Sequence, residues 1–95
     1  MIKVSVISPI YKVEHFIERA AESMLSQTLD DVEFIFVDDC TNDGSINVLQ
    51  RIIDAHPKRK RQVRILRHEV NRGLPAARNT GLSEANGDFV FHWDS

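Results

Sequence analysis

The chain has 95 residues, 42% of them hydrophobic and 27% charged, with a formal net charge of −2. That describes one globular domain over residues 1–95 with one core, and it excludes a general attraction to nucleic acid or to an anionic membrane. A single cysteine, Cys40, excludes an internal disulfide, no apolar run reaches the roughly 20 residues that cross a bilayer, and with no signal-peptide pattern the cytoplasm is the expected setting.

Lys3 to Ser8 (KVSVIS) is rich in β-branched residues and predicts a first strand. It ends at Pro9, which has no N–H to give a ladder. From His15 to Leu29, the apolar residues Phe16, Ile17, Ala20, Ala21, Met24, Leu25 and Leu29 recur at the spacing of one helix face. Glu14 and Glu18 fall near its start, where the helix dipole favours negative charge.

Phe34 to Val37 then predicts a buried strand that delivers Asp38 and Asp39 to its C-terminal tip. In an open α/β sheet, ligands bind in the crevice outside the carboxyl ends of the strands. Successive strand side chains point to opposite faces, so the two acids should have different jobs. Asp39 is the expected ligand contact and Asp38 its structural neighbour; the alternative is that both solvate the strand end and cap the next helix. That helix is capped by Asp43 or Ser45, carries Ile46, Leu49, Ile52 and Ile53 inward, and ends near His56 and Pro57. Lys58 to Arg61 follow as a basic run, expected to be a solvated loop favoured by the preceding helix dipole rather than a nucleic-acid or membrane patch.

Val63 to Arg67 predicts a third strand, and His68 to Gly73 a polar turn. Leu74, Ala77, Gly81 and Ala85 form a stripe of mostly small residues between Pro75 and Gly87, the expected punctuation of a helix lying close to its sheet. Valine at Gly81 should overpack that contact, while alanine should be tolerated. Asp88 to Trp93 (DFVFHW) predicts a fourth strand with an open apolar edge through which the chain could self-associate. The order β-α-β-α-β-α-β predicts a three-layer, Rossmann-like α/β unit with a mainly parallel sheet. His15, His56, His68 and His92 lack metal-ligand spacing and read as surface or structural, and Cys40 reads as a small buried residue.

Neither G-x-G-x-x-G nor G-x-x-x-x-G-K-[ST] is present, which disfavours a dinucleotide-dependent dehydrogenase and a P-loop phosphotransferase. Phosphates at this edge would need another counter-charge, for which a divalent cation on carboxylates is the candidate. Two readings of other classes stay open. Paired acids at a strand tip suit a receiver-like signalling module, although no later strand offers the lysine it would need at its tip; a non-catalytic interaction domain is the other.

The blocks SVISPIYKVEHFIERAAESMLSQT, FIFVDDCTNDGS and NRGLPAARNTGLSEANGDFVFHWDS, in this order, resemble the N-terminal, nucleotide-sugar-binding half of family 2 glycosyltransferases of the GT-A fold. The resemblance covers essentially the whole chain. It implies that Tyr11 and Glu14 sit near the nucleotide base in a pocket shaped by Pro9 and Ile10, and that Asp39 contacts the base edge. Arg72, Gly73 and Arg78 would lie beside the ribose and diphosphate. Asp94 matches the first acid of the family's Asp-x-Asp motif, which binds ribose and a Mg²⁺ or Mn²⁺ ion. Cys40-Thr41 stands where the family more often has Gly-Ser, and His92-Trp93 where aliphatic residues are commoner. The implied reaction is transfer of a sugar from a nucleotide-diphosphate donor, a UDP-sugar favoured, to a glycan or lipid-linked acceptor hydroxyl with inversion. The general base is expected beyond residue 95, so that no catalytic residue lies in this chain, and the whole protein could sit peripherally at the inner membrane face.

Overall fold

A computed structural model describes residues 2–93. The expected β-α-β-α-β-α-β order is present as β1 (Val4–Ile10), α1 (Ile17–Leu25), β2 (Val32–Asp38), α2 (Ser45–Asp54), β3 (Val63–Arg67), α3 (Leu74–Glu84) and β4 (Phe89–His92). The strands form one sheet in the order β3-β2-β1-β4, and every pairing is parallel. Parallel neighbours require crossovers, and the helices that make them cover both faces.

Strand alternation sorts the core into two layers. Val6 and Ile10 of β1, with Val32, Phe34 and Phe36 of β2, pack against Ile17, Ala21, Met24 and Leu25 of α1 and Leu49, Ile52 and Ile53 of α2. On the opposite face Ile7, Ile35 and Val37 pack against Ala77 of α3. All seven β2 residues are buried, so this strand is the spine of the fold. Burying Phe34 and Phe36 stabilises by about 1.5–3 kcal/mol each.

Three local differences from the sequence expectation have physical causes. Helix α1 is shorter than His15–Leu29. Val13 O accepts both the Phe16 and Ile17 N–H groups to start it, and Phe16 and Leu29 are exposed outside it. The basic run is not simply solvated. Residues Lys60–Gln62 form a 3-10 turn, and the Arg59 guanidinium donates to Leu29 O at 2.8 Å, Leu25 O at 3.3 Å and Gln27 O while lying 5.7 Å from the Phe34 ring centre. Arg59 therefore ties down the segment that leaves α1. Neither Asp43 nor Ser45 is the N-cap of α2, which is Gly44. Asp43 Oδ1 still accepts the N–H of Ser45, the first residue of α2, while the Ser45 hydroxyl accepts the Val13 N–H and ties the helix start to the loop after β1.

Ser8 is fully buried on β1, and its hydroxyl has no hydrogen-bond partner among the described residues. An orphaned buried hydroxyl forfeits its hydration without compensation. Ser8→Ala is expected to leave stability unchanged or raise it by about 1 kcal/mol, read from the urea midpoint; a loss above that would place a partner on the hydroxyl.

Candidate functional site

The tips of β1 and β2 carry the site. Beyond Ile10 the chain turns through Lys12, a non-glycine residue at φ 53° whose ammonium lies 5.3 Å from the Tyr11 ring centre. The turn is fixed from the β2 side, because the Lys12 N–H donates to Thr41 Oγ1 and Gly44 N–H donates to Glu14 Oε1. Beyond β2 the two acids diverge, as strand alternation requires. Asp38 Oδ1 accepts the Thr41 N–H at 2.9 Å, and Oδ2 lies 3.5 Å from Arg67 Nε. Asp38 is thus a turn-holding residue.

Asp39 turns toward the loop between β3 and α3 and is 2% exposed. Its Oδ1 receives the Arg72 N–H at 2.8 Å and lies 2.7 Å from His68 Nδ1; its Oδ2 receives the Gly73 N–H at 2.9 Å and Asn71 Nδ2 at 3.0 Å. Burial alone would raise this carboxyl's pKa. The donors from Arg72, His68 and Gly73 outweigh that and hold it below its ordinary value. Gly73 adopts φ 93° as it opens α3, a left-handed backbone that glycine takes without a Cβ clash.

Tyr11 and Asp39 both line a groove of about 330 Å³. Four of the residues expected at the site line it: Pro9, Tyr11, Asp39 and Gly73. Val13, Asn71 and Leu74, which sequence reasoning did not single out, complete the lining. Asn71 had a signal, a carboxamide two residues before a glycine at a helix start.

The other expected residues stand elsewhere. Ile10 is fully buried in the core, since a strand residue between Pro9 and Tyr11 points to the opposite face. Glu14 is engaged at the start of α2. Arg72 is held through its backbone with its side chain exposed, and Arg78 is half-buried on α3; neither lines the groove. Asp94 lies outside the described residues, and among those residues no group of three or more His, Cys, Asp or Glu could hold a metal ion. The Asp38 and Asp39 carboxylates are already committed to protein donors.

Cys40 is half-buried rather than buried, with Sγ donating to Glu69 O at 3.4 Å. Its φ of 58° explains why glycine suits this position in the family it resembles. A larger depression of about 650 Å³ lies at the opposite sheet edge, between Glu33, Arg64 and Glu84. It sits outside the amino ends of β2 and β3 and at the C-terminus of α3, where the dipole end is negative, so it is the poorer place for phosphates.

Comparison with known proteins agrees with this fold. The uncharacterized glycosyltransferase EpsJ of Bacillus subtilis (strain 168) is 44% identical over 87 residues, covering 92% of this chain and 24% of the relative. An uncharacterized glycosyltransferase of Haemophilus influenzae is 35% identical over 97% of this chain and 35% of its own length. The chain therefore spans about a quarter to a third of these relatives. Among solved structures, the mannosyltransferase PcManGT from Pyrobaculum calidifontis, in complex with GDP-Man and Mn²⁺, superposes with a TM-score of 0.88 at 28% identity, over 97% of this chain and 27% of that one. S. aureus TarS 1–349 in complex with UDP gives 0.85 at 30% identity, over 99% of this chain and 27% of that one. The sequence model of the family described as "Glycosyl transferase family 2" matches residues 5–95, and the chain belongs to that family.

Proposed function

We propose that this chain is the donor-binding part of an enzyme that transfers a sugar from a nucleoside-diphosphate donor to an acceptor hydroxyl. The observation that carries the reading is the groove at the carboxyl ends of β1 and β2, whose lining includes both an aromatic residue, Tyr11, and an acid held ionised, Asp39. Tyr11, 40% exposed, offers a ring face on which a base can stack. Asp39 offers an acceptor, which suits uracil N3–H or guanine N1–H; adenine has no ring N–H to donate. Its oxygens already accept about as many hydrogen bonds as a carboxylate takes. A base would therefore take the place of Asn71 Nδ2, the donor on a side chain that can rotate away.

The exposed Arg72 and the half-buried Arg78 are the proposed counter-charges for the diphosphate. Support for a nucleotide ligand comes from the two solved relatives, one holding GDP-Man with Mn²⁺ and the other UDP. For the whole protein we propose inversion at the anomeric carbon, a Mg²⁺ or Mn²⁺ ion with Asp94 as the one candidate ligand in this chain, and a cytoplasmic setting. The acceptor site and general base would lie in the longer part of the relatives, so residues 1–95 should bind donor without turning it over. The exposed Phe89, Val90 and Phe91 of β4 make self-association of the isolated chain the expected behaviour.

Calorimetric titration with UDP, GDP and ADP, with and without Mn²⁺, tests the reading. UDP or GDP is expected to bind more tightly than ADP. Equal affinity for UDP and ADP would remove Asp39 as the base reader, and binding of none of them would remove the donor-site reading.

A further inference from the structure

His68 follows β3 and is 6% exposed, yet it is absent from the groove lining. Both ring nitrogens are occupied: Nδ1 lies 2.7 Å from Asp39 Oδ1, and Nε2 lies 2.7 Å from Thr80 Oγ1 on α3. An ionised carboxylate only accepts, so Nδ1 carries the proton of that bond. Its backbone N–H donates to Asp38 O at 2.8 Å, which ties the residue to the tip of β2 through the main chain as well.

The ring is thus a strut from α3 to the Asp39 carboxylate, and that carboxylate in turn receives the backbone N–H groups of Arg72 and Gly73. Without the strut, Asp39 would keep its rotamer only through the loop it is supposed to organise. We propose that His68 is a positioning residue: it fixes the Asp39 rotamer and, through it, the backbone of residues 71–73 in the shape that receives the donor nucleotide. The nucleotide half of this statement rests on the donor-site reading above; the loop half does not. An apolar residue of similar volume would not serve, because Thr80 Oγ1 would lose its ring partner and Asp39 would lose one donor to a buried charge.

Two amide substitutions separate the hydrogen bond from the volume. Asparagine places its N–H₂ group about where His Nδ1 stands, whereas glutamine places it near Nε2, so His68→Asn keeps the donor to Asp39 and His68→Gln moves it toward Thr80. The first readout is hydrogen exchange of the Arg72 and Gly73 amides by NMR, referenced to amides in β2. In His68→Gln these two amides are expected to exchange roughly tenfold faster than in the parent, and in His68→Asn within about threefold of it. Unchanged protection in His68→Gln, or equal loss in both variants with β2 intact, overturns the proposal.

The second readout is UDP affinity, expected to fall about tenfold in His68→Gln and to be largely kept in His68→Asn. Exchange that responds as expected in a protein that binds no nucleoside diphosphate, parent included, would uphold the loop-positioning role while removing the donor-site reading. UDP affinity unchanged in His68→Gln despite a loosened loop would overturn the nucleotide half of the proposal.

Discussion

Asp39→Ala is expected to destabilise the chain by about 3–5 kcal/mol, the range for removing one partner from a buried charged network, and to abolish nucleotide binding. The size follows from what the carboxylate holds. Truncation would leave the N–H groups of Arg72 and Gly73, the Asn71 amide and the His68 ring without their shared acceptor, in a place where Asp39 itself is 2% exposed. The loop from Asn71 to Gly73 would lose its anchor and the groove one wall. Asp39→Asn should behave similarly, because its N–H₂ group would face donors rather than accept from them.

The loss is tied to pH in a defined direction. Donors hold the Asp39 carboxyl below its ordinary value of about 3.8, so its contribution is fully present above that pH and disappears as pH falls through the lower folded value. The stability gap between parent and Asp39→Asn, measured by urea unfolding, should narrow as pH falls below about 4. A gap that widens below about pH 4 would contradict the assignment.

Gly81→Val is expected to cost about 3 kcal/mol or more, and Gly81→Ala about 1–3 kcal/mol. A Cβ at this position would stand 2.4 Å from Ile7 Cγ2, with Ile7 Cγ1 and Cβ at 3.3 and 3.4 Å. Ile7 cannot give way easily, since it is fully buried, β-branched and held in β1. The stripe of small residues on α3 predicts this close approach, but helix propensity alone predicts that alanine is tolerated. Propensity is worth at most about 1 kcal/mol and does not offset a contact this short. Thermal melts of the two variants check the order: alanine at or above the parent's melting temperature would mean that α3 can lift from the sheet.

What was legible in the sequence was whatever depends on local pattern. β2 announced itself as an apolar run ending in two acids, and α3 by its small stripe between a proline and a glycine. The overrun of α1 shows the limit of periodicity. Leu29 fits the helical face, but the chain has already left the helix at Ser26, and its carbonyls are taken by Arg59, some 30 residues away. No local rule shows such a partner.

The site divides in the same way. Alternation gives Asp38 and Asp39 different jobs, as their separate partners show, whereas Gly73 came from the family resemblance rather than from the local pattern. The same alternation, applied one residue beyond Pro9, would have sent Ile10 into the core. Glu14 could not be placed from its neighbourhood, because its partner, the Gly44 N–H, comes from the far end of the next βα connection. His68 was read as surface or structural, and its structural role proves to lie beside the site, visible only once β3 and α3 are packed together.

The proposed binding place of a nucleoside diphosphate is the carboxyl edge of β1 and β2. A backbone amide NMR titration of the chain with UDP tests it most directly, because it maps the site without requiring turnover. The largest shifts are expected on Tyr11, Val13, Asp39, Asn71 and Gly73. Shifts confined to Glu33, Arg64, Glu84 and Asn86, around the larger depression at the opposite edge, would contradict it.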